Sequence, residues 1–385
     1  MQYRVFGKTG YEISALGMGC MRLPFKDPTD GTKGVDREKA YEMIRYAVDN
    51  GVNYFDTAFG YHAQDSEAVL GEALEEGGRR QKVKISTKQP FAQMKTRGDI
   101  RRNLENTLKK LRSDYVDFYF IHGIGQGSWA GILERDILGE YEKFKAEGLI
   151  KHIGFSFHGQ FPLFKEIIEH YPWDMCLVQH NMLDINREVT EEGLKVAHKN
   201  GVAVAVMEPL RGGGLAHAPA PVAALYDNFN VKRKAAEWAF RYLINFPEVG
   251  SIVSGMSTLE QLKENIALFS QKDMVPGCLS EDEKALISSA REAYESIITI
   301  PCTLCRYCEP CPQNVGIPRI FGLYNDGHRF GYFDQAKRSY MFARRGKSDV
   351  SACTNCGVCV PKCPQEINIP KELLVAQKVL DGWDE

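Results

Sequence analysis

Eight of the eleven cysteines crowd into two short runs near the C-terminus. The first is Cys302-x2-Cys305-x2-Cys308-x2-Cys311-Pro312, and the second is Cys353-x2-Cys356-x2-Cys359-x3-Cys363-Pro364. Thiolates at this density hold iron–sulfur clusters, hold zinc, or pair as disulfides. Zinc takes two Cys-x2-Cys pairs per site and has no use for a third cysteine at the same spacing. Disulfides suit a secreted chain, and Met1-Gln2-Tyr3-Arg4-Val5 reads as neither a signal nor a transit peptide. Iron–sulfur ligation is the reading left.

The second run matches the spacing of bacterial ferredoxins, and the first differs by one residue in its last gap. Three thiolates on a tight loop grip three corners of a cubane, so the fourth must come from elsewhere. In two-cluster ferredoxins it comes from the other run. The expectation is therefore one [4Fe–4S] cluster on Cys302, Cys305, Cys308 and Cys363. A second would sit on Cys353, Cys356, Cys359 and Cys311. Residues 315–352, between the runs, have helical composition, which predicts a mostly α-helical ferredoxin-like domain over 301–385.

A second constellation lies far upstream: Asp56, Tyr61, Lys88 and His122. A phenol has an ordinary pKa near 10, too high for easy proton donation at neutral pH. A lysine cation beside it stabilises the phenolate and is expected to lower that value. An aspartate fixes the lysine, and a histidine can orient a carbonyl oxygen. Such a set protonates an oxyanion as hydride reaches carbon.

These residues need a frame that brings distant positions together. Strand-like runs fall at 17–23, 53–57, 83–87, 116–121, 150–156, 175–180, 202–207 and 250–254, after a short N-terminal hairpin. Amphipathic stretches separate them, and Gly51, Gly148 and Gly201 stand where a helix ends in a left-handed turn. Eight strand–helix units in about 250 residues predict a (β/α)8 TIM barrel, over 1–275. A doubly wound sheet is the competing reading, and Gly17-Met18-Gly19 lacks the third glycine of its dinucleotide fingerprint. A helix at 276–300 would link barrel to cluster domain. In a barrel the strand ends share one rim, which would unite Asp56, Tyr61, Lys88 and His122.

The stretches Tyr54-Phe55-Asp56-Thr57-Ala58-Phe59-Gly60-Tyr61, Ser86-Thr87-Lys88 and Asp117-Phe118-Tyr119-Phe120-Ile121-His122 resemble the aldo-keto reductase family. The resemblance implies that Asp56, Tyr61, Lys88 and His122 are the catalytic tetrad. It also implies an extended NADP(H), or NAD(H), lying across the rim. Ser156 and Gln179 would reach the nicotinamide amide, and Met21 and Arg22 the cofactor edge. Pro209, Leu210, Gly212 and Gly214 would form the pyrophosphate loop. Gly255, Met256, Ser257, Gln261 and Asn265 would form the adenosine-phosphate loop. Three positions depart from the family pattern: Phe157 stands for asparagine, Glu208 for serine and Gln261 for arginine.

Two functions follow from these residues. One is an NAD(P)H-dependent aldo/keto oxidoreductase acting on a small carbonyl or alcohol, with clusters for electron transfer or structure. The other is a redox-partner protein whose barrel binds a flavin or another carrier. FMN stays open as a cofactor because hydride moves two electrons and a cluster moves one. A one-electron carrier protein is the macromolecular partner this implies. The loop aromatics Phe59, Phe91 and Trp129 suggest an apolar substrate pocket, while Cys20 and Cys176 read as core residues. A net charge of −2 argues against a nucleic-acid partner. No run of 18 or more apolar residues suggests a membrane span. Cluster chemistry and ordinary composition point to the cytoplasm.

Overall fold

A computed structural model describes residues 1–27 and 34–382, so the last three positions of the expected 301–385 domain lie outside it. The chain divides into two compact units: Met1–Gly212 with Glu237–Glu281, and Gly213–Ala236 with Asp282–Glu385.

The first unit is a closed barrel. Strands β1 (Tyr3–Val5) and β2 (Glu12–Ser14) form an antiparallel hairpin. The barrel strands are β3 (Leu16–Gly19), β4 (Tyr54–Asp56), β5 (Lys84–Pro90) and β6 (Val116–Ile124). They continue as β7 (Ile150–Phe157), β8 (Met175–Gln179), β9 (Ala203–Met207) and β10 (Val249–Ser254). All pair in parallel, in chain order, and β10 returns to β3. The doubly wound alternative is thereby excluded. β5 and β6 each run past their expected ends, to Pro90 and Ile124. Pairing of the two extends to Pro90 opposite His122, which lengthens the rim where the site lies.

Local chemistry explains the frame. The strands are rich in Val, Ile and Phe, which pack well on a sheet buried on both faces. The helix Arg97–Leu111 opens on a capping box in which Thr96 and Asp99 each bond the other's backbone N–H. Gly51 and Gly201 end their helices at φ 91° and 70°, a turn that costs glycine little. The hairpin brings Phe6 and Ile13 into one core cluster with Tyr54, Phe118 and Met175, beneath the strands' N-terminal ends. Phe6 meets Phe118 edge-on at 5.7 Å between ring centres. Cutting such a side chain to alanine costs about 3–5 kcal/mol.

The second unit is helical. The helices Ile317–Phe330, Phe333–Arg345 and Ile369–Leu380 gather around Phe321, Tyr340 and Leu373. Six of the run cysteines pack against this core. The helix Ala220–Asn228, unexpected from the sequence, belongs to this unit, and so does Glu281–Ser296. Arg233 pairs here with the buried carboxylate of Glu283. Among the described residues no helix is long and apolar enough to cross a membrane.

Candidate active site and cluster sites

β4 and β5 align so that Asp56 stands opposite Ser86. Alternation along a strand then puts Tyr54, Asp56, Ser86 and Lys88 on one face. That face is the barrel interior, and the four side chains bond one another there. Lys88 Nζ donates to Asp56 Oδ2 at 2.6 Å, to the Thr57 carbonyl at 2.7 Å and to the Tyr61 hydroxyl at 3.1 Å. Lys88 is 1% exposed and Asp56 3%. Tyr61 and His122 face each other edge-on, with ring centres 6.0 Å apart. All four expected members of the tetrad thus meet at one rim.

The electrostatics refine the expectation for Tyr61. Burial raises its pKa above the ordinary phenol value, and the pull of Lys88 only partly offsets this. The lysine cation alone would lower the value, as expected from the residue types, but the loss of water is the larger effect here. Lys88 itself is pulled down by burial, but Asp56 and then Tyr61 outweigh that, and its pKa is raised. His122 is pushed down to about 3, first by burial and then by Lys88 and His158. The site therefore holds a protonated phenol, a lysine cation and a neutral imidazole.

In the second unit the cysteines sort themselves across the two runs. One hollow, enclosing about 320 Å³ with its open mouth, is lined by Cys302, Cys305, Cys308 and Cys363. A second, about 330 Å³, is lined by Cys311, Cys353, Cys356 and Cys359. Each quartet takes its fourth member from the other run. Ile317 lines both hollows, with Phe321 and Ile367 in the first and Val315 and Leu373 in the second, beside polar residues such as Arg306, Gln365 and Gln313. Among the described residues no three Cys, His, Asp or Glu groups converge on a single-ion site. A zinc ion would need that convergence, whereas the corners of a cubane are spread apart.

Residues 15–275 match the aldo/keto reductase family model, about two thirds of the chain. The chain belongs to the aldo/keto reductase family. Residues 301–368 match the model of the 4Fe-4S dicluster domain. This aldo/keto reductase is 25% identical over 325 residues to the uncharacterized oxidoreductase YqkF of Bacillus subtilis, covering 76% of this chain and 97% of YqkF. It is similar to the holo form of aldo-keto reductase AKR11C1 from Bacillus halodurans, with TM-score 0.61 and 27% identity over 76% of this chain and 97% of that one. A Klebsiella pneumoniae aldo/keto reductase in complex with NADP and acetate shares the fold. Its TM-score is 0.58 and its identity 20%, over 74% of this chain and 93% of that one.

The positions expected to hold a dinucleotide are distributed unevenly in this reductase. Ser156 Oγ accepts from the Gly123 N–H at 2.8 Å, which leaves its own hydrogen to donate. Gln179 donates through Nε2 to Asp184 at 2.8 Å, which leaves its carbonyl oxygen to accept. Gln261, exposed, accepts from the Ser257 N–H at 2.9 Å, and Asn265 donates to Ser254 at 3.4 Å. The Arg22 stem lies beside Gly255, where an added Cβ would meet it at 3.2–3.3 Å. Met21 is exposed, while Met256 is buried. Pro209, Leu210 and Gly212 follow β9 in the first unit, but Gly214 belongs to the second unit. There a Cβ on Gly214 would strike the Phe330 ring at 2.8 Å, so packing also favours glycine at this position.

The three loop aromatics expected around the pocket have packing partners of their own. Trp129 is buried, its Nε1 donating to Glu166 at 2.8 Å. Phe91 lies under Arg135 at 4.1 Å, and Phe59 under Lys110 at 5.3 Å. These rings carry packing and cation–π roles. Cys20 and Cys176 are buried core residues as expected.

Two groups escaped the sequence reading. Tyr54 and Ser86 continue inward from the tetrad, with Tyr54 OH and Ser86 Oγ 2.7 Å apart and Ser86 donating to Asp56 Oδ1 at 2.7 Å. Both stand two residues before a tetrad member, so the period of two would have found them. Asp184 gathers Gln179, Asn181, Arg187 and Arg211 at 2.6–2.9 Å. Burial pushes its pKa up, but the two arginines more than reverse this, holding it at about 2. No sequence spacing announces that group.

Proposed function

We propose that this chain is an NAD(P)H-dependent reductase of a small carbonyl compound, carrying two [4Fe–4S] clusters. One observation carries the reading: a buried Lys88 lies between Asp56 and the Tyr61 hydroxyl. In this reading Tyr61 gives its proton to the carbonyl oxygen. Lys88 takes up the phenolate charge as it forms, and Asp56 holds Lys88 against desolvation. His122, kept neutral, donates a hydrogen bond that orients the carbonyl. Ser156 and Gln179 retain one donor and one acceptor at the strand ends, as a carboxamide needs. NAD(P)H, when bound, supplies hydride. Arg22 and the Gly255–Ser257 loop would take its phosphates. The two cysteine quartets would hold the clusters and supply one-electron capacity.

The test is direct. The anaerobically purified chain is mixed with NADPH or NADH and a panel of aldehydes and ketones, and cofactor oxidation is followed. Carbonyl-dependent oxidation that Tyr61→Phe abolishes supports the reading. A chain that binds neither nucleotide, or a variant with full turnover, removes it.

A further inference from the structure

Seven of the thirteen large hydrophobic side chains that the described residues expose fall between 301 and 385. They are not scattered. The helix Phe333–Arg345 buries Ala336, Tyr340 and Ala343 and turns Met341 and Phe342 outward. Around that pair stand Lys337, Arg338, Arg344, Arg345 and Lys347, with no acidic residue between Asp334 and Asp349. Arg344 is neutralised by Asp381 at 3.0 Å and Asp349 at 3.9 Å, while the Arg345 guanidinium lies 5.7 Å from the Phe342 ring. The helix Ile369–Leu380 also exposes an apolar pair, Leu374 and Val375, between Lys371 and Lys378, with Glu372 the one acidic residue in that span.

Both helices lead to the same cysteine quartet. Pro370 and Leu373 line the hollow of Cys311, Cys353, Cys356 and Cys359. The segment leaving Arg345 is tied to the loop after Cys311: Ser348 O accepts from Gly316 N at 2.9 Å, and Lys347 O from Asn314 at 3.4 Å. It then enters Cys353, whose N–H donates to Val350 O at 2.9 Å. The quartet's own loop exposes Cys356, Val358, Val360 and Lys362.

We propose that this face is a docking surface for an acidic one-electron carrier protein, which exchanges electrons with the Cys311/Cys353/Cys356/Cys359 quartet. An apolar centre ringed by cations is the anatomy of a protein interface, with Phe342 as anchor. The cations steer an acidic partner and set its orientation. Leu373, the neighbour of Leu374 in sequence, lines the cysteine hollow, and the segment that leaves the Phe342 helix runs into Cys353, so both helices connect to the place where a redox partner must come close. One electron passes per encounter: the carrier loses it as the cluster gains it, or the reverse, and no atom is transferred.

The inference rests on the reading that the quartet holds a cluster, and iron analysis of each sample tests that premise separately. The intact, anaerobically purified chain is titrated by calorimetry with a purified acidic two-cluster ferredoxin, and in a second arm with a flavodoxin. At least one is expected to bind, about tenfold or more weaker when salt is raised. Phe342→Ala with Arg345→Glu should weaken binding about tenfold or more, with iron content and melting midpoint unchanged. Tyr307→Ala, exposed in the loop of the other quartet, should leave binding unchanged. Full iron with no binding, salt-insensitive binding, or a double variant that binds like the parent overturns the surface. So does a Tyr307→Ala loss as large as the double variant's. Tighter binding of duplex DNA or phosphatidylserine vesicles than of either carrier assigns the face to a polyanion and overturns it too. Iron well short of two cubanes removes the premise, and the docking role with it.

Discussion

Lys88 and Asp56 form an ion pair 2.6 Å long inside the barrel, with side chains 1% and 5% exposed. A pair so buried persists only because each partner satisfies the other and both have further bonds. Asp56 has Ser86, and Lys88 has the Thr57 carbonyl and Tyr61. Removing one partner strands a charge. Asp56→Ala is expected to destabilise the barrel by about 3–5 kcal/mol and to abolish turnover. Asp56→Asn, which keeps the acceptor oxygen, should cost less stability while still impairing activity. Urea unfolding of both variants, read with the turnover assay, checks the order.

Tyr61→Phe separates chemistry from fold. The hydroxyl is the proton donor of the proposed reaction, and general acids contribute about 10²–10⁴-fold. The ring, which packs edge-on to His122, is retained. Carbonyl reduction is therefore expected to fall by that factor with an unchanged melting midpoint. The acid form must be present for turnover, and burial raises the Tyr61 pKa above the ordinary phenol value. The reduction rate of the parent should then stay flat from neutral pH upward and decline only in strongly alkaline solution. A decline centred near neutrality would remove Tyr61 as the acid.

His122 makes a prediction at the other end of the scale. Its folded pKa lies near 3, against about 6.5 in an unfolded chain. The unfolded state therefore binds a proton first as pH falls. The contribution of His122 to stability is complete above about 6.5 and is lost as pH drops toward 3. Denaturant titrations at a series of pH values should show His122→Gln flattening the parent's slope in that window. If parent and variant lose stability in parallel, the imidazole is not held neutral.

Much of this was legible in the sequence, for physical reasons. Buried parallel strands read as continuous apolar runs, and helix-ending glycines such as Gly51 and Gly201 punctuate them, so the barrel order was readable. Asp56 stands near the end of a strand-like run, and Lys88 and His122 directly follow theirs, which placed them on one rim. Side-chain direction beyond the strands was not readable. Trp129 could have lined a pocket, and its bond to Glu166 depends on a helix 37 residues away. The raised Tyr61 pKa depends on burial, which residue types alone do not report. The packing of Gly214 against Phe330, 116 positions on in sequence, was not readable either.

The crossing of the cysteine runs gives the most discriminating test. Cys363 closes the second run in sequence, yet it lines the hollow of Cys302, Cys305 and Cys308. Cys311 closes the first run and lines the other hollow. If each hollow holds one cubane, Cys363→Ser and Cys305→Ser should disturb the same cluster, although 58 residues separate them. Cys311→Ser should instead behave like Cys356→Ser. Iron analysis is expected to show roughly half the parent's iron in each single variant. The Cys305→Ser/Cys363→Ser double variant should lose no more than either single change. The Cys305→Ser/Cys311→Ser pair, in the same run but on different hollows, should lose nearly all of it. Were ligation to follow the runs instead, the two double variants would exchange outcomes.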